Sequence, residues 1–305
     1  MVSLIKKLLF KDKQIRTFMI TRLLERQIEE TVVLEKGKYR VEVTKNHGMI
    51  CLDPFCVAVL LPTEKGALMG TGEAKILILK KDKLNASISV SFIETVAIEN
   101  SALLLYRING AQNHQLSILH RLVFFAVLIR SKKNTYNSRR VISALYSYPR
   151  AIIIVSYRDD GYYNMFPMDI QSYMEREGLY ILGLRTTNVT LDKIIAAKKV
   201  VVCDTDSVDI ATVYNLGKHS SASPTKIEDL PFATGNSGLF GFPVPAFAGS
   251  YKEVEIIHHR KMGYHMLLVG KVVNAEQLKP DPSSLYHVGF LQSQKGNYTS
   301  IDGLY

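Results

Sequence analysis

At 305 residues, with 47% of them hydrophobic and 22% charged, the chain carries enough apolar material for the cores of two ordinary domains and too much to stay disordered. Its 38 Lys and Arg against 28 Asp and Glu leave a formal charge of +10, yet no DNA- or RNA-binding motif accompanies the basic residues, so no nucleic-acid partner is expected. Cys51, Cys56 and Cys203 make no even set, and no His or Cys pair completes a zinc spacing; reduced, buried thiols are expected, with no metal site.

Residues 3–32 place Leu4, Leu8, Ile15, Phe18, Met19, Leu23, Leu24 and Ile28 on a roughly helical repeat, which predicts an amphipathic helix or helix pair. Charges break up the first apolar residues, unlike a signal peptide. The longest apolar run, Leu122–Ile129, is far shorter than the ~20 residues of a membrane span. A cytoplasmic protein without a transmembrane segment is expected.

Strand-like texture follows at Tyr39–Val43, Met49–Leu61, Ala74–Leu79, Ala86–Phe92 and Ser101–Tyr106, punctuated by Gly and Pro. Leu116–Ile129 is apolar on both faces, which predicts a buried helix, and Val141–Tyr146 predicts a short one. Between them Arg130–Arg140 carries five basic residues and no acid. It reads as a solvated face, with docking of an acidic partner as the alternative. A domain boundary is expected near 145, and the role of residues 1–145 is not legible.

The stretch from Tyr148 to Ile170 is the most informative. It reads as a buried strand, Ala151–Ser156, a turn at Asp159-Asp160-Gly161, and a second strand reaching Asn164-Met165-Phe166-Pro167; an Asp-Gly step between two such runs is a strong hairpin signal. Further strands are predicted at Gly178–Arg185, Val200–Cys203, Tyr251–His259 and His265–Asn274, the last two joined near Met262-Gly263. Short helices are predicted at Leu191–Ala197, with Thr190 as N-cap, and at Val208–Tyr214. Residues 217–249 read as irregular, and 280–305 as a surface tail in which Tyr286–Phe290 is the part able to dock.

Several of these features fall in a telling order: Pro149, an apolar strand, Asp160-Gly161 and Asn164; then Leu182-Gly183-Leu184-Arg185 and Thr190 opening a helix with Asp192 and Ile194; then KVVVCD at 199–204; then Tyr264-His265 through Gly270-Lys271-Val272. That order resembles the flavin-reductase-like FMN-binding split-barrel family. The resemblance implies a mainly β chain with helices (α+β). Residues 146–279 would form a six-stranded antiparallel split β-barrel, preceded by an α+β N-terminal region. It also implies a homodimer with FMN at the subunit interface and NAD(P)H as electron donor.

Carried onto this sequence, the resemblance makes Asn164, Met165 and Phe166 the strand along the flavin ring. Arg185 becomes the phosphate's cation, with Thr187, Asn188 and Thr190 as its hydrogen-bonding groups, since a phosphate dianion is best held by N–H groups, hydroxyls and a basic side chain. Ser220, Ser221 and Lys226 stand in a loop that reaches the cofactor in relatives, and His265 faces the flavin. Met165 and Phe166 read equally well as plain core, and His265 as a structural histidine. The sequence departs from the family pattern at Phe166-Pro167, because Pro167 has no N–H to donate. No catalytic acid or base is expected, since hydride transfer to a flavin is mainly positioning. Three functions fit: an NAD(P)H-dependent flavin-reductase-like oxidoreductase, an FMN-binding electron carrier or redox sensor, or a degenerate barrel acting as an interaction protein.

Overall fold

The segment expected to open the chain as a helix forms a strand instead. In the computed structural model, which describes residues 15–115, 117–130, 136–218, 223–295, 298 and 301, β1 (Phe18–Leu23) pairs antiparallel with β19 (Ser284–Gly289), itself paired with β9 (Arg150–Ala151). Tertiary pairing overrides the helical spacing of the apolar residues; the part of that reading on residues 1–14 lies outside the described residues. The same sheet corrects the expected tail: β19 is its central strand, with Leu285 and Val288 fully buried.

The N-terminal half then runs β2 (Glu30–Lys36), β3 (Tyr39–Glu42), β4 (His47–Leu52), β5 (Phe55–Pro62), α1 (Thr63–Met69), β6 (Glu73–Lys80), β7 (Lys83–Ile98) and β8 (Ser101–Asn113). The stretch expected as one strand over Met49–Leu61 is a hairpin, turned at Asp53-Pro54, where proline supplies no ladder donor. Next come α2 (Ile118–Arg130) and α3 (Tyr136–Leu145). The first is buried on one face only: Phe124 and Phe125 pack on Phe290, while Ile118, Leu119 and Leu122 are exposed.

The C-terminal half runs β9, β10 (Ile153–Asp159), β11 (Tyr162–Met168), β12 (Gln171–Met174), β13 (Leu179–Arg185), α4 (Leu191–Ala197), β14 (Lys199–Cys203), α5 (Ile210–Gly217), β15 (Thr234–Asn236), β16 (Pro243–Pro245), β17 (Ser250–Lys261), β18 (His265–Gln277), β19 and α6 (Phe290–Lys295). The predicted hairpin is present: Asp159 pairs with Tyr162 around Asp160-Gly161, and Gly161 takes φ +72°, which costs glycine nothing.

Seven antiparallel strands form the C-terminal sheet, in the order β11-β10-β14-β17-β18-β13-β12. The strand beyond the expected six is the short edge strand β12. The edge strands β11 and β12 are consecutive in the chain, joined only by Asp169-Ile170. A flat sheet would hold them roughly 29 Å apart at ~4.8 Å per strand, whereas so short a link reaches only about 11 Å. The sheet is therefore curled into a barrel, split between β11 and β12. Its interior is filled by Ile153, Val155, Phe166, Tyr180, Leu182, Val254 and Leu268.

The N-terminal sheet has the order β3-β2-β6-β7-β8-β5-β4. Its edge strands β3 and β4 are again consecutive, so it curls as well. Strand for strand this is the order of the C-terminal sheet, with a helix after the fourth strand of each half, and the register agrees in detail. The long hairpin β7–β8 opens at Ala86↔Asn113 and has irregularities at Ser89/Val90 and Phe92/Glu94. The hairpin β17–β18 opens at Ser250↔Gln277 and has them at Glu253/Val254 and Ile256/His258. One constant displacement in residue number carries all these positions onto their counterparts. The fold thus contains the same barrel twice.

The two barrels share a seam. Ile50, Cys51, Ala58, Leu60, Leu103 and Leu105 of the first pack in one buried cluster with Met174, Leu179, Ile181, Leu267 and Val269 of the second. All three cysteines are free and buried, as expected.

Candidate functional site

Asn164 lies on β11, four ladder positions from the strand's far end, and its side chain is fully buried. Its Oδ1 accepts from the backbone N–H of Met165 and of Thr225, both at 3.0 Å, and its Nδ2 donates to Thr190 Oγ1 at 2.5 Å. Thr190 Oγ1 also lies 3.0 Å from the Tyr162 hydroxyl. This corrects the expected role of Thr190: its hydroxyl does not cap α4, because Asn164 and Tyr162 already engage it. Asn188 Oδ1 instead accepts from the Thr190 N–H at 2.8 Å, shaping the loop before the helix. Asn164, expected along the ring, and Asn188 and Thr190, expected at the phosphate, thus form one cluster whose polar atoms bond to one another.

Met165 and Phe166 are fully buried among the core residues of the barrel. Lys226 is exposed; its neighbour Thr225, not anticipated from the sequence, touches Asn164 and donates its hydroxyl to the Met165 carbonyl. Ser220 and Ser221 lie outside the described residues.

Arg185 and His265 are direct ladder partners on β13 and β18, so their side chains leave the sheet on the same side. That side is the seam, since Ile181 and Leu267, an even number of residues along each strand, lie in the seam cluster. Arg185 is exposed, and its guanidinium has no hydrogen bond or ion pair among the described residues. Thr187, two residues on, is exposed as well.

His265 is only 2% exposed. Burial, and then the nearby charge of Arg185, lower its pKa to about 4, so the ring is neutral at pH 7. Its Nδ1 accepts a long hydrogen bond, 3.5 Å, from the backbone N–H of Leu52 in the other barrel, and Cys51 Sγ lies at the same distance. The ring proton is therefore on Nε2, a buried donor with no partner among the described residues. Sequence reasoning pointed to His265 but missed Cys51 and Leu52, since nothing local links them to a strand over two hundred residues away.

A second buried cluster sits at the split of the barrel. Asp169 Oδ2 accepts from the Tyr146 hydroxyl at 2.6 Å and from His287 Nδ1 at 2.7 Å, while the Tyr214 hydroxyl meets His287 Nε2 at 2.8 Å. Burial alone would raise the Asp169 pKa; His287, Tyr146 and Arg150 outweigh it and hold the carboxyl at about 2. This network ties the β11–β12 link to β19.

A cleft of about 880 Å³ is lined by Lys45 and His47 of the first barrel, Tyr173, Tyr180 and Lys252 of the second, and Arg150 of β9. None of the candidate flavin residues lines it. Arg150 is 7% exposed, and its side chain has no hydrogen bond among the described residues. Among the described residues no three His, Cys, Asp or Glu side chains gather to hold a metal, and no helix is long and apolar enough to cross a membrane.

For an FMN, the phosphate side fits in residue type: Arg185 is an exposed cation with no hydrogen bond or ion pair among the described residues, Thr187 two positions on is exposed, and His265, the ladder partner of Arg185, carries the orphaned Nε2–H. The ring strand fits less well, because the Asn164 amide is engaged and Pro167 offers no N–H.

No family model matches the sequence, and no curated protein does. About half of the chain matches solved flavin reductases and FMN-binding proteins in fold. The NADH:FAD oxidoreductase of Streptomyces globisporus is 12% identical over 51% of this chain and 92% of its own, with a TM-score of 0.44. The FMN-binding protein of Thermus thermophilus, with bound p-hydroxybenzaldehyde, is 21% identical over 47% of this chain and 84% of its own, with a TM-score of 0.41. Flavoredoxin of Methanosarcina acetivorans is 16% identical over 49% and 92%, with a TM-score of 0.39.

Proposed function

We propose that the C-terminal barrel binds FMN and serves as a flavin-reductase-like oxidoreductase, passing electrons from NAD(P)H to flavin or another acceptor. The observation that carries this reading is the ladder pair Arg185–His265: among the described residues, an exposed cation with no hydrogen bond or ion pair and a buried imidazole N–H with no acceptor. In this reading Arg185 and Thr187 hold the phosphate. His265, neutral and protonated on Nε2, donates toward the carbonyl edge of the ring, where a fixed donor favours negative charge. FMN, when bound, supplies the hydride-accepting ring. The protein's own task is then positioning.

Arg185→Ala removes one charge-assisted contact, worth about 1.5–3 kcal/mol, so FMN is expected to bind roughly ten- to a hundredfold more weakly. Fluorescence titration of the apoprotein with FMN at low salt measures this, and an unchanged Kd removes Arg185 from the phosphate site. A second reading is favoured by the engaged Asn164 amide: a barrel that holds flavin without turnover, or has lost it. Anaerobic NADH or NADPH separates the cases. Rapid bleaching of the bound flavin means a reductase; bleaching by dithionite alone means a carrier or sensor. A protein that stays colourless after incubation with FMN means an interaction module.

A further inference from the structure

Equivalent strands of the two barrels meet at the seam: β4, β5 and β8 on one side, β12, β13 and β18 on the other. Gly48 pairs with Ala58 in the first barrel as Ser172 pairs with Ile181 in the second, so they hold the same register position. These two equivalent residues touch: a Cβ on Gly48 would lie 2.7 Å from that of Ser172, whose hydroxyl donates to the His47 carbonyl at 2.7 Å. Contact between equivalent positions marks an isologous, two-fold interface, the kind that joins identical subunits.

The two copies are not equally equipped. Following the ladders across each sheet, Tyr39 stands where Asn164 stands, because the β2–β3 hairpin closes at Lys36↔Tyr39 while β10–β11 continues to Asp159↔Tyr162. Pro62 stands for Arg185 and Ser101 for His265, since Pro62↔Ser101 and Arg185↔His265 are matching pairs. Pro62 also runs straight into α1, so the 186–190 loop has no counterpart. The first barrel thus has neither the cation, nor the imidazole, nor the loop. It does reach the second barrel's site: besides the Leu52 N–H on His265, the Asp53 carbonyl accepts from the Tyr264 N–H at 2.8 Å, and Gly263 packs against Asp53 and Pro54.

We infer that the N-terminal half is a built-in partner subunit: one chain is the functional pair, with a single composite flavin site completed by the β4–β5 turn. The ligand's identity rests on the FMN reading above; the pairing does not. In this pair Leu52 is a positioning residue, whose N–H keeps the His265 proton on Nε2. The expected homodimer is replaced by an intramolecular pair, because the barrel face a second chain would cover is already covered.

Native mass spectrometry of the full chain with added FMN tests both parts. A monomer carrying one FMN is expected. A dimer overturns the built-in pair whether or not flavin binds, and two FMN per monomer overturn the single site. A monomer that takes no FMN overturns the flavin reading while the mass upholds the pair. On flavin binding, the Leu52 amide and His265 imidazole resonances are expected to shift together; a Leu52 amide that stays put while FMN binds overturns the composite site.

Discussion

Acidification from pH 7 to pH 4 is expected to cost the fold about 6 kcal/mol, shared between His47 and His265. Both rings are buried, and both have a pKa lowered from 6.5 to about 4. Burial is the larger cause in each; Arg150 adds to it at His47, and Arg185 at His265. The sign follows from which state binds the proton. Between pH 6.5 and pH 4 the unfolded chain protonates these rings and the folded chain does not. The contribution is therefore complete above pH 6.5 and is lost as the pH falls toward 4. Asp169 extends the loss in the same direction below pH 4, because its carboxyl is held at about 2. Urea unfolding at pH 7, 5.5 and 4 measures the slope. His47→Asn, whose amide can still donate to the Val43 carbonyl as His47 Nδ1 does at 3.0 Å, should remove about half of it. A slope unchanged in that variant would mean that His47 is not protonated on unfolding in this range.

Gly183→Ala is expected to lower stability by about 3 kcal/mol, the upper part of the range for an overpacked interior. Gly183 is on β13 at the seam, where an added Cβ would fall 2.4 Å from the Ile50 carbonyl oxygen and 2.4 Å from Ile170 Cγ2. The first of these is backbone of the other barrel and cannot swing away, so the two barrels must separate locally. Gly235→Ala is the control: it sits on β15 with nothing within 4 Å of the new Cβ, and a change within about 0.5 kcal/mol is expected. Thermal unfolding of the two variants side by side is the measurement. Equal melting temperatures would show that the seam yields freely at Gly183.

The C-terminal barrel was largely legible because its signals are local. Asp160-Gly161 demands a tight turn, KVVVC at 199–203 is a valine-rich strand, and Met262-Gly263 closes the last hairpin. Phe18 to Leu23 misled for the opposite reason: their apolar spacing fits a helix by coincidence, and only the distant partner Ser284–Gly289 makes a strand of them. The duplication was hidden because the copies share pattern and not residues. Val59 and Leu182, or Leu104 and Leu268, fill equivalent core places with ordinary aliphatics. The positions proposed for the flavin, Arg185 against Pro62 and His265 against Ser101, have nothing in common. Arg185 and His265 were singled out by their ordered motifs, and the β13–β18 ladder brings them side by side. Thr225 was missed because an isolated Thr in an irregular loop has no signature. The tautomer of His265 depends on a backbone N–H from the other barrel, which only the fold brings near.

A crystal grown with excess FMN is the most direct test of the flavin site. The phosphate should lie against Arg185 and Thr187, with the ring's carbonyl edge at His265 Nε2. Ring density in the cleft beside Arg150, or no flavin density at all, would contradict it.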